Sequence, residues 1–159
     1  MGDELPQPLV GVVLGASSDE EKVKSAWVML EKFGIDYDLV IISAHRQPRR
    51  ASEYAASAED RGLHVLIAAA GKAAALPGVL AANTTLPVIG VPVYTPHLGG
   101  QDSLYSIVQM PSGVPVACVG LDAGANAGIL AVQMLALANP ALRLPLREFK
   151  EQLAEGLRL

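Results

Sequence analysis

The chain has 159 residues, of which 51% are hydrophobic and 18% charged, and a formal net charge of −4. That length suits one domain with a full core, and no apolar run nears the roughly 18 residues that span a bilayer. The acidic balance, the absence of a basic block and the 4% aromatic content argue against nucleic acid as a partner. One cysteine, Cys118, excludes a disulfide framework or a cysteine-rich metal site within a chain. The N-terminal MGDELPQPLV is acidic and has no hydrophobic signal region, so a cytoplasmic location is expected. The charged share is below the usual figure of about 25%, and the apolar excess is expected to be buried in a homo-oligomeric interface.

Apolar runs alternate with helix-like segments, the pattern of βαβ units around a parallel sheet. The first strand is expected over Leu9–Leu14. Gly15-Ala16-Ser17 then turns into a helix, with Ser18 and Glu21 spaced as a capping box and Gly34 as its C′ stop. Val23, Trp27 and Leu30 recur at helical spacing along it. A second strand, Tyr37–Ile42, reads as buried, and a helix opens at Pro48 and stops near Gly62. The third strand is Val65–Ala69, followed by the small-residue loop 71–78 and a short helix. Strand four is Val88–Val91, Tyr94–Gly100 a loop, Ser103–Met110 a helix and Val116–Val119 strand five. The helix over 124–138 is apolar nearly all round, which implies burial on most faces and points to subunit packing. An amphipathic tail helix covers 142–157. With no repeat, linker or low-complexity stretch, the chain reads as a single domain over 1–159, with a core of about 8–140 and a tail at 141–159.

Three loops fall at carboxyl ends of strands, 15–19, 43–48 and 70–78, and in a doubly wound sheet such loops converge on one crevice. In Ser-Ala-His-Arg-Gln-Pro (43–48), an imidazole suited to general acid–base work stands beside a guanidinium suited to phosphate. A loop histidine bonded to backbone is the structural alternative for His45. Gly15-Ala16-Ser17-Ser18-Asp19 offers backbone N–H groups to a phosphate and Asp19 to ribose hydroxyls. Helix capping by Ser18 and a favourable first-turn charge on Asp19 explain the same residues without a ligand. Lys72 stands where a helix N-terminus is expected, an unfavourable place for a cation, and suits an anion such as a carboxylate or bicarbonate. A solvated loop lysine is its bland reading. His64 is expected to be structural, His97 exposed, Cys118 a packing residue and Asp102 a helix cap.

The chain resembles the PurE family of purine biosynthesis over nearly its whole length. The resemblance is carried by GASSD (15–19), SAHRQP (43–48), ALPG (75–78), GVPV (90–93), DSLYSIVQMPSGVPV (102–116) and the helix start at Asn126-Ala127. It implies a three-layer α/β/α domain of flavodoxin-like type with a parallel sheet. It also implies an octamer with active sites at subunit junctions. The substrate it implies is a small-molecule aminoimidazole ribonucleotide, handled together with carbon dioxide and without a metal, biotin or nucleotide cofactor. The implied reaction is that of N5-carboxyaminoimidazole ribonucleotide mutase, an isomerase. Carboxylate leaves the exocyclic nitrogen and reappears on carbon-4 of the imidazole through bound carbon dioxide. Carried over by position, His45 is the proton shuttle; Ser18, Ser43 and Arg46 hold the 5′-phosphate and Asp19 the ribose. Gly71, Ala73 and Leu76 line the base pocket, and Gly15, Ala44 and Lys72 complete the expected substrate-binding set.

The departures from the family pattern leave an alternative activity open. Ordinary mutases read roughly AGAGGAAHLPG in the third loop, whereas this chain reads AAAGKAAALPG, with Lys72 for a glycine, Ala75 for a histidine and, earlier, Ala16 for a serine. A related class carboxylates aminoimidazole ribonucleotide directly and carries a basic residue after that glycine. Lys72, Ala75, Tyr94-Thr95-Pro96 and Gln101-Asp102 resemble that carboxylase, a lyase, while SAHR and SIVQMP resemble the mutase. An inactive ribonucleotide-binding paralogue is the non-enzyme alternative.

Overall fold

The computed structural model describes residues 9–159, and the acidic segment before Leu9 lies outside them. Five strands, β1 (Val10–Leu14), β2 (Tyr37–Ile41), β3 (Val65–Gly71), β4 (Val88–Val93) and β5 (Ala117–Cys118), pair in the order β2-β1-β3-β4-β5. Every pair is parallel. This is the flavodoxin-like order, in which the chain reverses direction of travel across the sheet between β1 and β3. Among the described residues seven helices accompany the sheet: α1 (Glu20–Val23), α2 (Ser25–Lys32), α3 (Pro48–Ala56), α4 (Leu76–Ala81), α5 (Gln101–Val108), α6 (Gly124–Ala138) and α7 (Arg143–Ala154).

The period of two along a strand divides the core into two layers. Val10, Val12, Leu14, Val65, Ile67, Ile89 and Val91 face one side, with Leu30 of α2 and Val132 of α6. Val13, Leu66, Ala68 and Ala70 face the other, with Ala55 of α3, Leu80 of α4 and Ile107 of α5. β1, β3 and β4 are buried on both faces, which is why they read as continuous apolar runs.

Three local expectations are corrected. β2 is an edge strand, with Leu39 36% and Ile41 41% exposed, so its apolar run does not mark a central strand. Ser18 caps nothing: a 3-10 turn at Ser17–Asp19 leads into α1, and the helical path is interrupted at Lys24. Gly34 does end this path in the left-handed region, at φ +67. The tail helix is shorter than expected, Arg143–Ala154, after a separate 3-10 turn at Pro140–Leu142.

Most of the apolar surface of α6 is covered inside the chain, but Leu137 near its C-terminal end is 81% exposed. The helix packs on the sheet and α2, and Ile129 joins Met29 and Phe149 of α7 in a third cluster. Its glycines let α6 approach the preceding helices closely. A Cβ on Gly124 would lie 2.5 Å from the carbonyl oxygen of Val23, and one on Gly128 would overlap that of Ala26. Other apolar side chains left uncovered include Leu98, Tyr105, Val108 and Leu121.

Candidate active site

Parallel pairing brings the carboxyl ends of β1 to β4 to one edge of the sheet. Leu14 is in register with Ile41 and Ala69, and Gly71 with Val93. The segments leaving those ends enclose a cavity of about 400 Å³. All eleven expected site residues line it: Gly15, Ser18, Asp19, Ser43, Ala44, His45, Arg46, Gly71, Lys72, Ala73 and Leu76.

After β1, Gly15 stays on the sheet, its N–H donating to Ala69 O at 2.9 Å. The 3-10 turn then brings Asp19 inside, 8% exposed, while Ser18 remains on the rim. The Asp19 N–H donates to Ala16 O at 3.1 Å, and the Ser18 hydroxyl lies 3.5 Å from Asp19 Oδ1. Burial pushes the Asp19 carboxyl above its ordinary pKa, and the Lys22 ammonium partly opposes that shift.

After β2, residues 43–47 close into a turn. The Gln47 N–H donates to Ser43 O at 2.7 Å, and the Arg46 N–H donates to the Ser43 hydroxyl at 3.3 Å. The Gln47 side-chain oxygen accepts from the Ser43 N–H at 3.3 Å. Ala44 is buried by this turn, and His45 and Arg46 are left exposed on the cavity wall. The far end of α3 is tied back to β2 by Tyr54, whose hydroxyl donates to Asp38 Oδ2 at 2.9 Å. The same oxygen receives Arg61 at 3.1 Å.

After β3, the Ala74 N–H donates to Gly71 O at 3.2 Å, closing a turn over Lys72 and Ala73. Lys72 adopts φ +54, a left-handed conformation that favours glycine. This corrects the expectation that Lys72 opens a helix. α4 begins at Leu76, and what is unusual about Lys72 is its backbone rather than a helix dipole. Buried Leu76 and Pro77 anchor the end of the loop, so Ala73, Ala74 and Ala75 form a small apolar wall.

A fourth segment, after β4, entered the sequence reading only through the carboxylase resemblance of Tyr94-Thr95-Pro96 and not as part of the expected site. Thr95 lines the cavity because β4 runs on to Val93, two residues past the expected end, which brings Tyr94-Thr95 to the level of Lys72. A polar pair directly after an apolar run was the available signal. Ala16, Ala70, Ala74 and Ala75 complete the wall.

The sequence pattern of the AIR carboxylase family matches residues 9–156. The chain belongs to the AIR carboxylase family. It is 53% identical over 146 residues to the N5-carboxyaminoimidazole ribonucleotide mutase of Thermotoga maritima, covering 92% of this chain and 85% of that protein. It is 51% identical over 153 residues to the phosphoribosylaminoimidazole carboxylase of Schizosaccharomyces pombe, covering 96% of this chain and 28% of that protein. The crystal structure of Treponema denticola PurE superposes with a TM-score of 0.83 at 29% identity, covering 93% of this chain and 92% of that one. The expected PurE resemblance and its flavodoxin-like fold are thereby established.

The other titratable candidates of this AIR carboxylase family member lie off the cavity wall. His97 is exposed in its loop, and exposed His64 precedes β3, its N–H donating to Leu9 O at 2.8 Å. Cys118 is half-buried in β5 and donates to Val119 O at 3.3 Å; burial raises its pKa, which disfavours the thiolate. Asp102 does not cap α5, because Gly100 holds the N-cap position. Among the described residues no group of three or more His, Cys, Asp or Glu side chains is placed to hold a metal ion.

Proposed function

We propose that the protein is an N5-carboxyaminoimidazole ribonucleotide mutase of purine biosynthesis, acting in the cavity at the carboxyl edge of the sheet. The observation that carries this reading is that one cavity gathers an imidazole, a guanidinium, a buried carboxylate and a small apolar wall. They come together in a chain 53% identical to a protein of that name.

The roles follow from chemistry and position. Arg46, Ser18 and Ser43 take the 5′-phosphate, the guanidinium supplying charge and the hydroxyls hydrogen bonds. Gly15 and Ala44 support this end, and Asp19 accepts from the ribose hydroxyls. His45 gives its proton to the exocyclic nitrogen as the N–carboxylate bond breaks and carbon dioxide departs. Carbon-4 of the aminoimidazole then attacks that carbon dioxide, and His45 takes up the proton that carbon-4 loses. Proton and carboxyl group both balance, and the imidazole ends as it began. Gly71, Ala73 and Leu76 hold the intermediate gas against water, since small apolar walls offer it neither hydration nor an exit.

A second reading, direct carboxylation of aminoimidazole ribonucleotide, is favoured by Lys72. Lys72 lines the cavity from a left-handed backbone position, and a basic side chain there suits the carboxylate that forms on the base. A donor-swap assay separates the two. Product from N5-carboxyaminoimidazole ribonucleotide without added bicarbonate identifies the mutase. Product only from aminoimidazole ribonucleotide with saturating bicarbonate and carbonic anhydrase identifies the carboxylase. Ligand binding with no turnover in either arm identifies an inactive paralogue and refutes the proposal.

The same reading includes a single catalytic domain, a cytoplasmic location and an octamer whose sites lie at subunit junctions. None of the described helices is long and apolar enough to cross a membrane. The octamer is supported by the exposed Tyr94, Leu98, Tyr105, Val108 and Leu121 along α5 and its flanks. Sedimentation equilibrium tests it, and a monomer at micromolar concentration would refute assembly and the junctional site together.

A further inference from the structure

The β4 end of the cavity holds groups that the reading above leaves without a task. Thr95 lines the cavity, yet its hydroxyl oxygen is shut off from solvent with no hydrogen-bond partner among the described residues. A buried hydroxyl without a partner is costly, and native structures keep few of them. Thr95 stands beside the turn that carries Lys72, since a Cβ built on Gly71 would meet Thr95 Cγ2 at 3.4 Å. One χ1 step exchanges the methyl and hydroxyl positions of a threonine.

The backbone ahead of Thr95 is gripped from both sides. Lys22 Nζ donates to Tyr94 O at 2.6 Å, and the Tyr94 N–H donates to Asp122 Oδ1 at 2.9 Å. Asp122 makes this contact from a left-handed backbone, φ +52, while its own N–H donates to Pro92 O at 2.9 Å. Among the described residues only Lys72 and Asp122 combine a side chain with positive φ, and both serve this end of the site. Strained backbone of that kind gathers where a site demands a fixed geometry.

Charge decides which substrate group belongs here. Two basic residues line the cavity, Arg46 after β2 and Lys72 after β3. Those strands are two sheet steps apart, about 10 Å, a span a mononucleotide can bridge. With the phosphate on Arg46, the second anionic group of a carboxylated ribonucleotide falls to Lys72 and its neighbour. We infer that the Thr95 hydroxyl donates a hydrogen bond to the carboxylate carried by the base. Lys72 supplies the counter-charge, and Lys22 and Asp122 act as positioning residues that hold Tyr94-Thr95 in place. This rests on the ribonucleotide reading proposed above.

The test is calorimetric binding of two ligands that differ only in that carboxylate, 4-carboxy-5-aminoimidazole ribonucleotide and 5-aminoimidazole ribonucleotide. Thr95→Val keeps the shape and removes the hydroxyl. It is expected to weaken the carboxylated ligand about tenfold or more, to leave the other within about twofold, and not to lower the unfolding temperature. Thr95→Ser restores the difference. Asp122→Ala, which releases Tyr94, shrinks the preference for the carboxylated ligand, whereas Asp122→Asn keeps an acceptor oxygen and preserves it. A Thr95→Val protein that binds both ligands like wild type, or loses both equally, overturns the inference while leaving the ribonucleotide reading intact. A wild-type protein that binds neither overturns both.

Discussion

Gly128→Ala separates helix propensity from packing, because the two predict opposite signs. Propensity alone favours alanine inside a helix by about 1 kcal/mol. The structure argues the other way. The new Cβ would overlap the Ala26 carbonyl oxygen and lie 2.9 Å from Met29 Cβ. The first obstacle is backbone and has no rotamer to escape into, so α2 must retreat from α6 by several tenths of an ångström or more. Overpacking of this kind costs about 1–3 kcal/mol, and an obstacle made of backbone belongs at the upper end. Subtracting the propensity gain leaves a net loss of about 2 kcal/mol, or about 4–8 °C in unfolding temperature for a domain of this size. The retreat also displaces α1 and Lys22 from Tyr94, so kcat/KM is expected to fall several-fold. Urea unfolding of variant and wild type at one protein concentration measures the first effect, since the proposed assembly would couple stability to concentration. Gly120→Ala is the control, its Cβ meeting only Ala123 Cβ at an ordinary 3.6 Å. A Gly128→Ala protein as stable as wild type, or more stable, would refute the close-approach argument.

Three further outcomes are expected. His45→Asn should lose about 10²–10⁴-fold in turnover while binding the ribonucleotide within a few-fold of wild type; full activity would show that another group moves the proton. Lys72→Gly relieves a left-handed backbone worth about 1–2 kcal/mol, against an entropy cost of about 0.5–1 kcal/mol for glycine. Thermal unfolding should therefore show an unchanged or slightly raised stability alongside weaker affinity for the carboxylated nucleotide, and a clear drop in stability would contradict this. For Asp19, folding raises the carboxyl pKa above the ordinary 3.8, so ionised Asp19 disfavours the folded state. That burden is present above the raised value and fades as pH falls through it toward 3.8. Asp19→Asn should accordingly be more stable than wild type at pH 7, with the advantage shrinking on acidification and gone below 3.8. An advantage independent of pH would assign the effect to something other than the charge.

Much of the architecture was legible in the chain. The apolar runs at β1, β3 and β4 are continuous because those strands are buried on both faces, so their pattern marks both strand type and parallel pairing. Position at a strand end then singled out the loops of His45, Asp19 and Lys72, because parallel pairing sends every carboxyl end to the same edge. The 124–138 helix was legible to the residue, but the destination of its apolar surface was not, since periodicity records that a face is buried and not what buries it. Ser18 and Asp102 look like helix caps by residue type and spacing. Whether a side chain caps depends on the dihedral path of the turn, which the rest of the fold imposes.

Local sequence thus determined the strand-and-helix alternation, the parallel sheet and three of the four loops that form the cavity. Tertiary structure alone decided how far each strand runs, and with it whether Thr95 reaches the site. It also decided the left-handed backbone of Lys72 and the meeting of Lys22 and Asp122 on Tyr94, residues 72 and 28 positions from Tyr94 in the chain. The physical reason is range. Hydrophobic periodicity and turn chemistry act over a few neighbouring residues, whereas these contacts exist only once the sheet order has brought distant segments to one edge.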